Sequence, residues 1–170
     1  MWSSEVTNMI IAGIGETLYM TLVSTIAGYI IGLPMGIVLT VSDKDGIRPN
    51  SFIYKILDVI VNIVRSIPFI ILLVLLIPFT RFLVGKSYGS TATIVPLVVA
   101  AAPYIARMVE SSLKEVDAGV IEAARSMGAS DFDIVTKVLL VEARTSLLVG
   151  ATISLGTILG YSAMSGAVGG

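Results

Sequence analysis

The side chains able to do chemistry in this chain are few, and they cluster. The sequence contains no histidine and no cysteine. That removes the commonest general base, the commonest zinc ligand, the Ser-His pair of a hydrolase, and any disulfide or thiolate site. No G-x-x-x-x-G-K-[ST] phosphate loop occurs, so nucleotide has to bind elsewhere, and no metal or cofactor is expected. What remains is one polar stretch, EAARSMGAS, residues 122–130, carrying Glu122, Arg125 and Gly128 within a very apolar sequence. A carboxylate and a guanidinium on a short helix form ion pairs and hydrogen bonds, which is the chemistry of recognition and not of bond breaking. Two further sets lie inside apolar segments: Asn62, Arg65 and Ser66, and Tyr161, Ser162 and Met164. A charge at membrane depth is costly and faces a cavity or a partner. Arg65 therefore either holds a substrate carboxylate or lines a pathway, or it snorkels to the nearer surface. Asn62, one turn below, carries the same ambiguity. Met164 with Tyr161 and Ser162 suits either a gate on a permeation path or simple packing.

The elements that position these residues follow from composition. The chain has 170 residues, 55% hydrophobic and 14% charged, with net charge −1, and its mean hydropathy is +0.95. A soluble domain carries about 25% charged residues, so this chain lacks the polar surface to face water and belongs with membrane proteins. The near-neutral charge gives no reason to expect nucleic acid. The N-terminal MWSSEVTNMIIAGIGE has no Lys or Arg, so the first apolar segment reads as a retained span and not as a cleaved secretory signal. Thr17 to Ser42 is free of charge and reaches about 39 Å as a helix, more than the hydrocarbon core needs. A turn-rich loop, SDKDGIRPN, ends it. A second helix is expected from about Ile56 to Phe79, kinked or ended by Pro68 and Pro78. A third runs from about Thr91 to Ala106 with Pro96 and Pro103 inside, and a fourth from Thr145 to Val168. One transmembrane domain over residues 1–170 is the expected organisation, with a polar insert at 107–144.

Basic residues orient the spans. Lys44, Arg48 and Lys55 lie in the first loop, and Arg107, Lys114, Arg125, Lys137 and Arg144 in the insert, against only Arg81 and Lys86 on the other side. The insert is thereby placed in the cytoplasm and the N-terminus outside.

Within the insert, Asp117 is an N-cap for a helix over about 118–127. Val120, Ile121, Ala123, Ala124 and Met127 fall on one apolar face, with Glu122, Arg125 and Ser126 opposite. Gly128 suits a left-handed C-cap. Ser130 and Asp133 begin the next helix, and Asp133 and Lys137 pair at i, i+4. So short a helix is marginal alone and needs a surface. That surface is either lipid headgroups or a protein, and the absence of a Lys/Arg excess favours protein. Glu110 and Lys114 read as a solvated i, i+4 pair. Gly28, Gly32 and Gly36, and likewise Gly156 and Gly160, let helices approach, within one subunit or between two.

The stretch Glu122-Ala123-Ala124, three residues, Gly128, nine residues, then Val138-Leu139-Leu140 resembles the cytoplasmic coupling motif of ABC-importer permeases, departing where Val141 replaces the usual Pro. NIVRSIPFIILL, IPFTRFLVG, AAPYIARMVE and GYSAMSGAVGG resemble the methionine-uptake branch of that family over nearly the whole chain. The resemblance implies an all-α polytopic membrane helix bundle in the bacterial cytoplasmic (inner) membrane, working as a homodimer in lipid. It implies two separate ATP-hydrolysing subunits and an external substrate-binding (lipo)protein. It assigns coupling to the ATPase to Glu122, Ala123, Ala124, Arg125, Met127, Gly128 and Ala129. Permeases of this branch have a fifth helix, so the four spans ending at Gly170 suggest a truncated or partial product. Set against the importer reading are an ion-coupled secondary transporter, which calls for a carboxylate or histidine inside a span, and a membrane scaffold without transport.

Overall fold

The computed structural model describes residues 3–166, and these are helical with short connections and no strand among them. Helix α1 (Ser4–Ser42) is capped by the Ser3 side chain, which accepts from Val6 N. It starts thirteen residues before the expected Thr17. Counting charges cut the span at Glu16, but a single carboxylate does not stop a helix, and Glu5 in the first turn suits the positive end of the helix dipole. At about 58 Å the helix is longer than a bilayer core.

Helix α5 (Ser90–Lys114) packs along α1. The contact is backbone-close: a Cβ at Gly32 would lie 2.6 Å from the Ala102 carbonyl oxygen, and one at Gly36 would lie 2.6 Å from that of Ala106. The stripe of Gly28, Gly32 and Gly36 is therefore used within the chain, where removing side chains lets two helices meet in lipid. Gly156 and Gly160 on α9 (Arg144–Ser165) have nothing among the described residues within 4 Å of a Cβ. The two glycine sets, alike in sequence, do different things.

The expected single helix from Ile56 to Phe79 is instead three. Helix α2 (Ser51–Ser66), capped by the Asn50 side chain, meets α3 (Phe69–Leu75) at 102°, and α4 (Ile77–Val84) follows. Pro68 lacks an N–H and forbids the helical conformation to Ile67, whose φ and ψ are −84° and 123°. Pro78 lies in the first turn of α4, where its missing donor costs nothing. Three helices, α1, α5 and α9, are each long and apolar enough to cross a membrane, and the bent α2–α3 pair supplies a further crossing or a re-entrant turn. Helix α5 also runs past Ala106 to Lys114, so the first eight residues assigned to the polar insert complete a span. The fourth expected span begins at Arg144, and its expected end at Val168 lies outside the described residues. Leu97, Ala101, Ile105 and Val109 of α5 join Met20, Phe69, Leu139 and Ile158 in the core.

Candidate functional site

Residues 115–143 form a compact projection at the end of α5. Helix α6 (Ala118–Ser126) starts where the Asp117 carboxylate accepts from Gly119 N at 2.7 Å. It stops at Gly128, whose φ of +86° is the left-handed conformation only glycine adopts cheaply. Two backbone bonds close the end: Gly128 N donates to Arg125 O at 3.0 Å, and Ala129 N to Ala124 O at 3.1 Å. Ser130 then caps α7 (Asp131–Asp133), accepting from Asp133 N. Lys137 pairs with Asp133 at 2.5 Å and holds that carboxyl below its ordinary pKa. The continuation is a π-helical turn, Ile134–Leu139, a wider winding that hydrophobic periodicity does not announce. After α8 (Leu140–Glu142) the chain breaks at Ala143 before α9, although Val141 stands where a proline would have enforced the bend.

The apolar face expected on α6 is divided. Ala124 is buried and Ile121 half-buried, against a core that includes the fully buried Ile134 and Leu139. Val120, Ala123 and Met127 point away from the chain; Met127 is 83% exposed and Phe132 nearby 75%. Arg125, expected on the polar face, stays exposed and reaches back along the surface to donate to the Ile47 carbonyl at 2.8 Å, with Asp131 at 3.8 Å. It bolts α6 to the loop between α1 and α2. Glu122 is exposed at the rim of a cleft of about 420 Å³ between α6 and that loop. Of the seven residues assigned to coupling, then, Ala124 and Arg125 are engaged inside the chain and seat the helix. Glu122, Ala123 and Met127 are presented outward. Gly128 and Ala129 form the turn.

The structure corrects the reading of Glu110. It is 2% exposed and sits at the centre of a charge network. Arg107 Nη1 donates to it at 2.6 Å, Lys114 Nζ at 2.7 Å and the Tyr54 hydroxyl at 3.2 Å. Lys114 also reaches Asp43 at 2.6 Å, and that hydrogen bond holds the Asp43 carboxyl below its usual range. Arg107 pairs with Asp58 as well, and donates to Asn62 Oδ1 at 3.1 Å. Asn62 in turn donates to Asp58 at 3.1 Å. Asn62 is thus a strut tying α2 to α5. Sequence reasoning missed the network because its members are far apart in the chain. The available signal was Asp58, Asn62 and Ser66 at four-residue spacing on one face of an otherwise apolar helix.

Of the pathway candidates, Arg65 and Tyr161 come together. Both line a cavity of about 200 Å³ with Tyr104 and Phe69. Tyr161 stacks on Phe69 with ring centroids 4.7 Å apart, and the Arg65 guanidinium lies 6.0 Å above the Tyr104 ring. Ser66 donates to the Asn62 carbonyl at 2.7 Å. Ser162 is buried, donating to Leu159 O at 2.8 Å with Thr21 Oγ1 at 3.5 Å, and so belongs to packing. Met164 is half exposed on α9.

The described residues thus form an all-α bundle with a capped helix projecting between two spans. Residues 28–170 match the family of binding-protein-dependent transport system inner membrane components, and the chain belongs to that family. It is 56% identical over 158 residues to the D-methionine transport system permease protein MetI of Salmonella typhimurium, covering 93% of this chain and 73% of that one. The MetI of Escherichia coli K12 matches at the same identity and coverage. Among solved structures, the MetNI methionine ABC transporter in an inward facing conformation superposes with a TM-score of 0.96 at 54% identity, covering 99% of this chain and 78% of that one. An amino acid ABC transporter structure shares the fold, with a TM-score of 0.78 at 24% identity. The chain is a multi-pass inner-membrane permease subunit, and it contributes no bond-breaking chemistry.

Proposed function

We propose that this chain is the permease of an ATP-driven methionine importer, working as a pair of identical copies with separate ATPase subunits and an external binding protein. The observation that carries the coupling is the outward stripe of Val120, Ala123 and Met127 on a helix fixed at both ends. Apolar side chains exposed together on a helix beyond the span are poorly suited to water, and a cleft in a partner protein would bury them. The Asp117 cap, the Gly128 turn and the bolt from Arg125 to Ile47 make α6 rigid, as a lever must be. When ATP draws the partner subunits together, α6 moves with them. Its seat on the α1–α2 loop and on the π-helical turn passes the displacement to α1 and, through Ala143, to α9. The substrate shifts the equilibrium only through different affinities for the inward-open and outward-open states. The excess of Lys and Arg on this side supports a cytoplasmic α6. An ion-coupled mechanism finds less support, because Asp58 and Glu110 are already engaged with Arg107 and Lys114.

The test is reconstitution of the permease with its ATPase and binding protein in liposomes, followed by uptake of labelled methionine. ATP-dependent uptake is expected, and its absence refutes the reading. Glu122→Lys and Met127→Glu should each weaken co-purification of the ATPase. Full retention by both variants would remove the outward face of α6 from the interface and leave lipid as its neighbour.

A further inference from the structure

The cavity shared by Arg65 and Tyr161 has the makings of a ligand site. Tyr104 precedes Lys114, the last residue of α5, by ten residues, which sets it about 15 Å from that end of the helix and inside the apolar part of the span. An arginine at this depth has to be compensated. Arg107, one turn nearer the cytoplasm, is paired with Asp58 and Glu110. Among the described residues Arg65 makes no ion pair, and its guanidinium has only the Tyr104 ring beneath it. The nearest carboxylate along its own helix, Asp58, is held by Arg107 and Asn62. Arg65 stands outside that network, in which three carboxylates already face two cations, and its guanidinium opens on an aromatic-walled cavity.

The remaining walls are apolar: Val64, Ile67, Leu72 and Ala100, with Phe69 stacked on Tyr161. At about 200 Å³ the cavity holds several waters or one small organic molecule. The geometry points to a subsite in which Arg65 binds the carboxylate of the transported amino acid, while the Phe69–Tyr161 pair and the Tyr104 ring receive its apolar side chain. A guanidinium binds a carboxylate through two parallel hydrogen bonds. A thioether makes favourable contacts at an aromatic edge. No acidic residue lines the cavity, so the ligand it selects is defined by its carboxylate. The bend at Pro68 serves the site by ending α2 one residue after Arg65 and returning Phe69 to face it. This assignment rests on the importer reading and adds to it the group the permease itself recognises.

Equilibrium dialysis of labelled methionine against the assembled permease and ATPase in nanodiscs, without binding protein, tests it. Unlabelled methionine and methioninamide serve as competitors. In the wild type the amide should compete at least tenfold less well. Arg65→Gln should reduce that preference to less than twofold, while Arg65→Lys, which keeps the charge and loses the fork, should leave a preference between those of the wild type and the Gln variant. Tyr161→Ala should weaken methionine and its amide alike, at least tenfold. Equal competition in the wild type, an intact preference in Arg65→Gln, equal loss in the Gln and Lys variants, an unchanged affinity in Tyr161→Ala, or no saturable wild-type binding each overturns the subsite. ATP-driven uptake by the wild type is measured in parallel. If uptake persists while the subsite fails, only this inference falls; if uptake is absent, the importer reading falls with it.

Discussion

Replacing Glu110 with Gln is the most demanding test of the architecture, because it changes charge and almost no volume. Glu110 accepts from Arg107, Lys114 and Tyr54 while 2% exposed. Breaking a buried ion pair by removing one partner costs about 3–5 kcal/mol when the other charge is left uncompensated. Here the loss is smaller. The Arg107 and Lys114 side chains are 24% and 40% exposed, and each keeps a second carboxylate, Asp58 or Asp43. Water and these partners recover part of the charge interaction, and the Gln oxygen still accepts one donor. One cationic donor, however, now faces the amide N–H group. The net cost should be about 2–3 kcal/mol, between one lost charge-assisted hydrogen bond and a fully orphaned ion. For a chain of this length, about 2–4 °C per kcal/mol turns that into a fall in Tm of roughly 5–10 °C. Thermal unfolding of the purified permease in detergent measures it, with the exposed Lys86→Gln as a control expected to shift nothing. A Glu110→Gln variant melting within about 1 °C of the wild type, set against that expected fall, would show that the network contributes no stability.

Other perturbations follow from the same geometry. At Gly128 a Cβ meets nothing within 4 Å, so substitution costs only the strain of φ +86°; uptake per ATP hydrolysed should fall in the order Asn, Ala, Val, and equal coupling across the series would refute the lever. Gly32→Val drives a side chain into the Ala102 carbonyl and should abolish folded expression, whereas Gly156→Val, open within the chain, should fold and weaken only association between copies; size-exclusion profiles of the two variants separate these outcomes. Asp43 has a folded pKa below its reference value of 3.8, so the stability it contributes is complete above that value and is lost as pH falls through the folded pKa. Asp43→Asn should remove that acid-dependent step from the unfolding profile while leaving the profile near neutral pH parallel to the wild type, only lower.

Local features of the chain were legible because their causes are local. Asp117, Gly128 and Ser130 announce a capped helix, a left-handed turn and a second cap through side chains acting within three residues of themselves. The membrane class was legible too, because an excess of apolar residues shows in composition and needs no tertiary contact to do so. What the sequence concealed was every decision made by a distant neighbour. Two glycine stripes of the same spacing part company because α5 lies against one and none of the described residues lies against the other. Glu110 looks like a surface residue until α2 brings Tyr54 across, α5 turns Arg107 toward it and Lys114 closes the other side. Arg125 looks solvent-facing until the α1–α2 loop offers the Ile47 carbonyl. The residues left without a neighbour are, for that reason, the informative ones. Met127 and Gly156 face outward from one copy of the chain and the Arg65 guanidinium opens on a cavity, and the proposed assembly gives each a different occupant: an ATPase, a second copy, and the molecule being moved.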